Sequence, residues 1–335
     1  MKGYRSICLG LWLIFAATAF GQEKRMAVVE TSTCYMRLQP DYESALETQE
    51  LMGTVVEIVA ESGYWREIIS PQPYTAWTTE KTLVEMTPEQ IKEYEKAIKY
   101  MFTDLYGHLH KRPSKRSEKI CDLVGGDVMR AVMKDNPVKK FGWAQVMLPS
   151  GRTGWVKKNA LELLEDRINI REWNYAQGVV SEDRMEDIIE SAHELLGVPY
   201  LWGGMSSKGV DCSGLVRISA IMNDVMLPRN ASQQVNCGKE IEVPRKDAEG
   251  VSEEEDVKKG YTAKTAKAAI KNLKRGDLVF FGNTLTKKIT HVGIYLGNGE
   301  IIHASHMVRI NSLIPGTDNY YENAHRLIRA CRLSH

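Results

Sequence analysis

The chain has 335 residues, 43% of them hydrophobic, and its 44 Lys and Arg nearly balance its 43 Asp and Glu, which leaves a formal net charge of +1. This length is typical of two or three domains, and the composition is that of a globular protein. No charge excess and no basic patch with interleaved aromatic residues is visible, which argues against nucleic acid as a partner.

The first predicted element is a signal peptide over residues 1–21. Lys2 and Arg5 precede an apolar stretch from Ile7 to Phe20. Small residues near its end predict cleavage close to Gly21–Gln22, and an uncleaved anchor is the alternative. No later stretch is long and apolar enough to span a bilayer, so we expect an exported mature chain without a transmembrane segment, periplasmic or extracellular.

The region that follows contains a loose internal repeat. Trp143 follows Trp65 by 78 residues, and each lies among short alternating strands that Gly, Pro and Asn interrupt. Such strands are typical of small β-barrels, and the pattern resembles bacterial SH3 domains. We therefore expect two SH3-like barrels, over residues 22–86 and 110–165.

Residues 87–109 predict a linking helix between these barrels. Thr87 can cap it and Pro88 fits the first helical position. Apolar residues then recur at helical spacing, and they are Ile91, Tyr94, Ile98, Met101, Phe102 and Leu105. We expect a helix from about Pro88 to about Tyr106, packed through this stripe.

The C-terminal region, residues 166–335, begins with helical patterns and ends with strands. Within it, residues 245–272 have an acidic front and a Lys/Ala-rich back, and they lack a core pattern before Thr262. We interpret this charged segment as a solvated surface insertion. The alternative is a lid over one end of a cleft.

Cys212 is the candidate nucleophile of this region. Asp211 can cap a helix that begins at Cys212, and the N–H groups and dipole at a helix start favour the thiolate, the reactive form. The mature chain would contain four other cysteines, Cys34, Cys121, Cys237 and Cys331. An odd total without a CxxC pair does not indicate a zinc site, and it leaves at least one thiol unpaired in an oxidising compartment. The disulfide pairing stays open.

A base for this cysteine is offered by the segment "THVGIYLGNGEIIHAS", whose alternation and Gly-Asn-Gly turn predict a hairpin. A two-residue turn would put His291 and His303 on opposite faces. A three-residue loop with Gly299 left-handed would pair His303 with Gly293 and set the two histidines diagonally on one face, roughly 7 Å apart. The Cys–His–His hypothesis therefore requires the three-residue loop.

Five short sequence blocks of the C-terminal region are "PYLWGG", "DCSGL", "LPRNASQQ", "LKRGDLVFF" and "THVGIYLGNGEIIHAS". They follow one another in the order found in NlpC/P60 cysteine peptidases, which this region resembles. The resemblance covers the chain from about Ser181 to Leu333. It implies an α+β fold, in which two small SH3-like β-barrels precede a papain-like domain with its nucleophile helix on an antiparallel sheet. It also implies a hydrolase of bacterial cell-wall peptides, and no metal or other cofactor is expected. The charged segment departs from the family pattern.

The resemblance assigns catalytic roles residue by residue. Cys212 matches the nucleophile, His291 the general base and later acid, and His303 the residue that orients His291. Tyr200 matches a tyrosine that helps to hold the oxyanion.

Further positions are assigned in the same way. Trp202, Asp211 and Ser213 match substrate-pocket positions. Arg229 and Gln233, which lie in the third block, are interpreted as structural.

Two SH3-like domains ahead of such a domain resemble γ-D-glutamyl-L-diamino acid endopeptidases. The resemblance implies release of L-Ala-γ-D-Glu from wall peptides with a free amino terminus, cut before diaminopimelate or lysine. It also implies that the first barrel closes the cleft and binds the substrate's amine, which needs a carboxylate partner when buried. Glu80 is the candidate for this contact, and Tyr106 is a second one.

Two other functions stay open at this point. One is a non-catalytic peptidoglycan-binding protein, whose signature would be loss of Cys212, His291 or His303. The other is an acyltransferase on the same cysteine core, which would carry rearranged motifs and a membrane segment. The sequence leaves the oligomeric state and the preferred diamino acid open.

Overall fold

The computed structural model describes residues 24–71, 74–132, 139–140, 142–164, 180–245 and 249–333. The predicted signal peptide lies outside these residues, so the structure does not test it. Among the helices within the described ranges, none is long and apolar enough to cross a membrane.

The first β-domain covers Arg25–Met86 and is one antiparallel sheet. Its strands are β1 Arg25–Val29, β2 Thr33–Arg37, β3 Leu46–Leu51, β4 Val55–Ser62, β5 Trp65–Ile69, β6 Thr75–Thr79 and β7 Leu83–Met86, in the order β3-β2-β6-β5-β4-β1-β7. Alternate residues point inward, and Ala27, Val29 and Met36 are fully buried at its centre.

The second β-domain covers Lys99–Leu164 and repeats the first. Its strands are β8 Lys99–Phe102, β9 Tyr106–His110, β10 Lys119–Val124, β11 Val128–Ala131, β12 Lys139–Lys140, β13 Trp143–Met147, β14 Thr153–Lys157 and β15 Leu161–Leu164. Their order, β10-β9-β14-β13-β11-β8-β15 with β12 beside β13, follows the same path. Trp65 and Trp143 are both buried at the start of equivalent strands. The internal repeat is therefore structural, and this β-rich half is consistent with two SH3-like domains.

The linking helix is shorter than the sequence predicts. Helix α1 covers Pro88–Lys96, with Thr87 as cap and Pro88 at its start as expected. It ends at Lys96, with Ala97 as its C-cap, because the residues from Lys99 onward pair as β8 with β11 and β15. The expected helix to about Tyr106 is wrong, and the second β-domain begins at Lys99 instead of residue 110. Strand pairing here overrides a helical periodicity.

The C-terminal domain places five helices around a six-stranded antiparallel sheet. Its helices are α2 Glu182–Glu194, α3 Cys212–Ile221, α4 Ala231–Gln234, α5 Glu254–Gly260 and α6 Ala263–Ala269. Its strands are β16 Met205–Ser206, β17 Gly209–Val210, β18 Lys239–Ile241, β19 Leu278–Gly282, β20 Ile289–Gly297, β21 Glu300–Ser305, β22 Met307–Ser312 and β23 Leu327–Arg332. The sheet order is β18-β23-β19-β20-β21-β22, and β16 pairs with β17 alone.

Both faces of this sheet are covered. Leu278 and Phe280 of β19 pack in the core that contains α2 and α3, whereas Val279 and Phe281 pack in a second core with α6. A strand buried on both faces is continuously apolar, which explains the run "LVFFG". The predicted nucleophile helix on an antiparallel sheet is confirmed.

The charged segment contributes to the second core. Val257 on α5 and Ala266 on α6 are fully buried, and Tyr261 between the two helices is 6% exposed. The interpretation of this segment as a solvated surface insertion is wrong for these residues, which are buried although no core pattern precedes Thr262. Single apolar residues among charges are enough here, because each short helix buries only one or two side chains.

The turn from Gly203 to Lys208 joins the C-terminal domain to both β-domains. The Met205 N–H donates to Gln49 Oε1 of β3 at 2.8 Å. Lys208 Nζ pairs with Asp122 of β10 at 2.5 Å and donates to Ser32 at 2.9 Å. The first β-domain therefore packs against the residues that lead into α3.

Candidate active site

Cys212 is the first residue of α3, as predicted. Asp211 caps the helix through Oδ1, which accepts the Gly214 N–H at 2.7 Å. The thiol is 8% exposed, and the rest of the helix as far as Ala220 is buried. Gly214 is required here, because a methyl group in its place would lie 2.1 Å from the Gly204 carbonyl oxygen.

The environment of this thiol differs from the expectation for a helix start. Burial and, to a smaller extent, the negative charge of Asp211 raise the pKa of Cys212 to about 11. The Val292 and Ser213 N–H groups act in the opposite direction, because they hydrogen-bond the thiolate. The resting group is therefore a thiol, and a base must take its proton during attack.

His291 and His303 meet on one face of the β20–β21 hairpin. Ile294 pairs with Ile302, a register that sets His303 opposite Gly293, as the Cys–His–His hypothesis requires. The route to this register differs from the expected three-residue loop. The turn has two residues, Asn298 and Gly299, both with positive φ, and a register shift at Leu296 supplies the extra residue.

A chain of hydrogen bonds assigns the tautomers of both histidines. The Asn311 Nδ2 donates to the Asn319 carbonyl at 2.6 Å, so Asn311 Oδ1 is the acceptor that lies 2.9 Å from His303 Nε2. His303 Nε2 therefore carries the proton, and its Nδ1 accepts from His291 Nε2 at 2.7 Å. This leaves His291 Nδ1 as the unprotonated nitrogen, available to accept the thiol proton.

Burial keeps both imidazoles neutral. It lowers the pKa of His291 to about 3, with the His303 charge acting in the same direction. It lowers the pKa of His303 to about 4, with Arg309 also lowering it and Asn311 opposing. The Tyr321 ring packs against both, with centroids 5.8 Å from His291 and 4.7 Å from His303. A neutral His291 is the form that can act as a general base.

Asn311 and Tyr321 are residues that sequence reasoning missed. Both lie beyond the hairpin, on β22 and on the loop before β23, and neither belongs to one of the five blocks. The alternation of "MVRINS" in β22 places Asn311 on the face of His303, but only the pairing of β21 with β22 makes that visible.

We expect Asn311→Leu to lower kcat/KM for peptide cleavage about ten- to hundredfold. The leucine leaves the buried His303 Nε2–H without an acceptor, which costs about 1–3 kcal/mol of free energy. It also removes the hydrogen bond that keeps the His303 proton on Nε2, so that His303 can adopt the other tautomer. Kinetics together with thermal unfolding measure the two effects separately. Asn319→Ala is the matched control, because Asn319 contributes to the relay only through its backbone carbonyl, while its side chain donates to Glu300 at 3.4 Å. Wild-type kinetics for Asn311→Leu would contradict the tautomer assignment.

The predicted pocket residues Asp211 and Ser213 form a buried network with Arg229. The Arg229 guanidinium contacts both Asp211 oxygens, at 3.0 and 2.5 Å, and donates to Ser213 Oγ at 3.0 Å. Its Nε donates to Thr48 Oγ1 of β3 at 2.8 Å. Gln233 accepts the Asn230 N–H at the start of α4. The structural interpretation of Arg229 and Gln233 agrees with these contacts, and the network also ties α3 to the first β-domain.

Tyr200 lies near the Cys212 thiol. Tyr200 lines a cavity with His291, and burial raises the pKa of its phenol to about 12, so it stays a hydrogen-bond donor at neutral pH. The Trp202 side chain is 64% exposed. Among the described residues, no group of three or more His, Cys, Asp and Glu side chains is arranged to hold a metal ion.

The structure does not bring Glu80 or Tyr106 to this site. Glu80 pairs with Arg66 at 3.0 Å and with Lys81, at the far end of β6. Tyr106 is 54% exposed at the start of β9, and its hydroxyl contacts His108. The expectation that Glu80 faces the cleft is wrong, because Tyr74 at the opposite end of β6 is the residue near Asp211 and Arg229. Six extended residues separate the two ends by about 20 Å.

Glu50 of β3 is buried at this junction and pairs with Arg217 of α3 at 3.7 Å. Glu47 of the same strand also lies at the junction. Its Oε2 accepts the Tyr74 hydroxyl at 2.8 Å. Its backbone packs against Gly203, where an added methyl group would come within 3.0 Å of it. Within the part of the chain that the structure describes, Cys34, Cys121, Cys212, Cys237 and Cys331 are free thiols.

Comparison with known proteins agrees with this geometry. The sequence pattern of the NlpC/P60 family matches residues 197–328, which include Cys212, His291 and His303. These residues form an NlpC/P60 domain. The NlpC/P60 domain begins at the turn before Tyr200 and ends in β23.

Relatives extend the similarity beyond the NlpC/P60 domain. A γ-D-glutamyl-L-lysine dipeptidyl-peptidase of Bacillus cereus is 25% identical over 287 residues, which cover 83% of this chain and 73% of that protein. The protein of the same name from Bacillus subtilis is 26% identical over 312 residues, covering 90% and 87%.

Solved structures show the same fold. An NlpC/P60 family protein from Bacillus cereus superposes with a TM-score of 0.68 at 21% identity, covering 92% of this chain and 100% of that one. An NlpC/P60 endopeptidase from Photobacterium damselae subsp. piscicida gives a TM-score of 0.59 at 13% identity, covering 91% and 72%. The arrangement of β-domains ahead of an NlpC/P60 domain is therefore shared.

Proposed function

We propose that this protein is a cysteine peptidase that cleaves the bond between γ-D-Glu and a diamino acid in cell-wall peptides. The observation that carries the proposal is the relay from Asn311 through His303 to His291, whose free Nδ1 is left to serve the thiol at the start of α3. The names of the two Bacillus relatives, which match most of this chain, support the same bond.

The reaction follows from these groups. His291 Nδ1 takes the proton of Cys212 Sγ, and the sulfur attacks the γ-carbonyl carbon of D-Glu. The Cys212 N–H and the Tyr200 hydroxyl donate to the oxyanion. When the tetrahedral intermediate collapses, His291 gives its proton to the departing amine and a thioester remains. Water, deprotonated by His291, then releases L-Ala-γ-D-Glu and restores the thiol.

Digestion of defined muropeptides, read by mass spectrometry, tests this proposal. Release of L-Ala-γ-D-Glu supports it. Binding without cleavage, or transfer of the acyl group to an added amine without hydrolysis, would contradict it. We further propose from the N-terminal segment that the chain is exported to the compartment where such wall fragments occur.

The first β-domain supports a preference for peptides with a free L-Ala amine. It packs against the residues that precede Cys212 and presents the Glu47 carboxylate there, held by Tyr74. A substrate ammonium would pair with this carboxylate, and a peptide still attached to sugar has no such charge. We therefore assign to Glu47 the amine contact that the sequence assigned to Glu80.

We expect N-acetylation of L-Ala-γ-D-Glu-diaminopimelate to lower kcat/KM on the order of 10³-fold for the wild type, because a desolvated carboxylate loses its ammonium partner. Glu47→Gln should abolish most of this discrimination. Glu80→Gln is the matched control, since it removes the same charge from the same domain. Equal kcat/KM on both substrates for the wild type would refute the amine preference, and an unchanged Glu47→Gln would refute the assignment of the contact.

A further inference from the structure

A cavity of about 390 Å³ opens beside His291, large enough to hold one amino acid. The described residues that line it include Tyr200, His291, His306, Tyr321, Asn323 and Arg326. All of them belong to the C-terminal domain, whereas Glu47 lies on the first β-domain. In the proposed reaction His291 protonates the departing amine, so the diamino acid occupies the side of the site that His291 lines.

Arg326 contributes a guanidinium, a permanently charged group, to the lining of this cavity. It ends a short 3-10 turn, Ala324–Arg326, and its side chain is 34% exposed. Its Nε donates to the Gly282 carbonyl at 3.2 Å and lies 3.6 Å from the Glu254 carboxylate. The two terminal nitrogens make no hydrogen bond within the described ranges of the chain. The guanidinium is therefore anchored at its inner nitrogen and keeps its outer donors for a ligand.

The charged segment, residues 245–272, helps to hold the Arg326 side chain in place through Glu254. Glu254 opens α5, and its carboxylate also accepts from the N–H and hydroxyl of Thr284. Those contacts lower the pKa of Glu254, so it stays ionised and holds the arginine in place. The segment that departs from the family pattern thus supports a residue on the leaving-group side.

The charged groups that line the cavity favour one of the two candidate leaving groups, lysine and diaminopimelate. Asp and Glu are absent from the described residues that line it, and Arg326 is joined there by Asn323 and His306. The lysine side chain ends in an ammonium alone. Diaminopimelate has an additional carboxylate on the carbon that bears its distal ammonium, and a carboxylate is the group that a guanidinium fork binds best.

We propose that this cavity is the leaving-group subsite, that Arg326 binds the side-chain carboxylate of diaminopimelate, and that the protein prefers diaminopimelate over lysine. The inference rests on the proposed function. It also separates this protein from the two Bacillus relatives, whose names specify lysine.

Kinetics on three substrates test the subsite. They are L-Ala-γ-D-Glu joined to meso-diaminopimelate, to L-lysine, and to 4-nitroaniline, which has no carboxylate. We expect wild-type kcat/KM to be about 10–100-fold higher for diaminopimelate than for lysine, the effect of one hydrogen bond between charged groups. Arg326→Gln should remove this difference and leave the anilide rate unchanged. Arg329→Gln is the matched control, because it removes the same charge from β23, where Arg329 pairs with Glu240.

A second measurement does not depend on turnover. Calorimetry on the Cys212→Ala protein with free diaminopimelate and free lysine should show tighter binding of diaminopimelate, and Arg326→Gln should abolish the difference. Equal affinity for the two amino acids, or an Arg326→Gln loss that is the same on all three substrates, would overturn the subsite. A wild type that releases no L-Ala-γ-D-Glu from any substrate would contradict the proposed function, while calorimetry would still decide the subsite.

Discussion

Replacement of Cys212 with alanine is expected to abolish the release of L-Ala-γ-D-Glu while the protein stays folded. The sulfur is the atom that forms the thioester, and loss of the nucleophile in a comparable catalytic triad costs about 10⁶-fold in kcat. The fold should persist, because the substitution removes one atom and the cap from Asp211 to the Gly214 N–H is untouched. Mass spectrometry of the products and thermal unfolding measure the two outcomes.

Cys237→Ala provides a control for this experiment. Cys237 is also a buried free thiol, and its Sγ contacts the Gln233 carbonyl. It should retain wild-type activity, since it lies outside the relay. A folded Cys212→Ala protein that cleaves at the wild-type rate would exclude this residue as the nucleophile.

Substitutions of the two histidines are expected to differ in a defined order. His291→Ala should be the most damaging, because no other group can take the thiol proton. His303→Asn or His303→Gln should retain more activity than His303→Ala, since an amide oxygen can still accept the His291 Nε2–H. Loss of the orienting residue costs about 10⁴-fold in a related triad.

Measurement of kcat/KM for the four variants tests this order, with thermal unfolding as a check on the fold. His303 is fully buried between His291 and Asn311. His303→Ala therefore leaves a cavity and an unpaired Asn311 oxygen, and a drop in stability is expected alongside the kinetic loss. Equal activity for His303→Ala and the wild type would remove this residue from the relay.

Local features of the site could be predicted from the sequence, because they depend on neighbours along the chain. Three such features each depend on a stretch of about ten residues. They are the cap at Asp211, the start of α3 at Cys212 and the alternation of the hairpin strands. The register between β20 and β21 could be predicted only in part. The requirement that His303 lies opposite Gly293 is confirmed, but a shift at Leu296 achieves it in place of a three-residue loop. A bulge and a longer loop insert the same single residue, so the sequence pattern cannot tell them apart.

Features that depend on contacts between distant segments were decided only by the tertiary structure. Residues 99–102 lie within a helical periodicity but pair as a strand, because β8 completes the second sheet. Asn311 joins the relay only through the pairing of β21 with β22. Glu47, rather than Glu80, meets the NlpC/P60 domain because the packing of β3 against the turn before Cys212 determines which end of the first β-domain is near the site.

The protonation states of Cys212 and His291 were also decided only by the tertiary structure. By itself, a helix start lowers the pKa of a thiol, and a sequence reveals the helix start. Burial raises that pKa, and the burial of Cys212 depends on the packing of α3 against β20. The sequence alone therefore identified Cys212, His291 and His303, but not Asn311 or Glu47. The packing of distant segments decided that Cys212 is a neutral thiol and His291 a neutral imidazole, since desolvation depends on everything that surrounds a group.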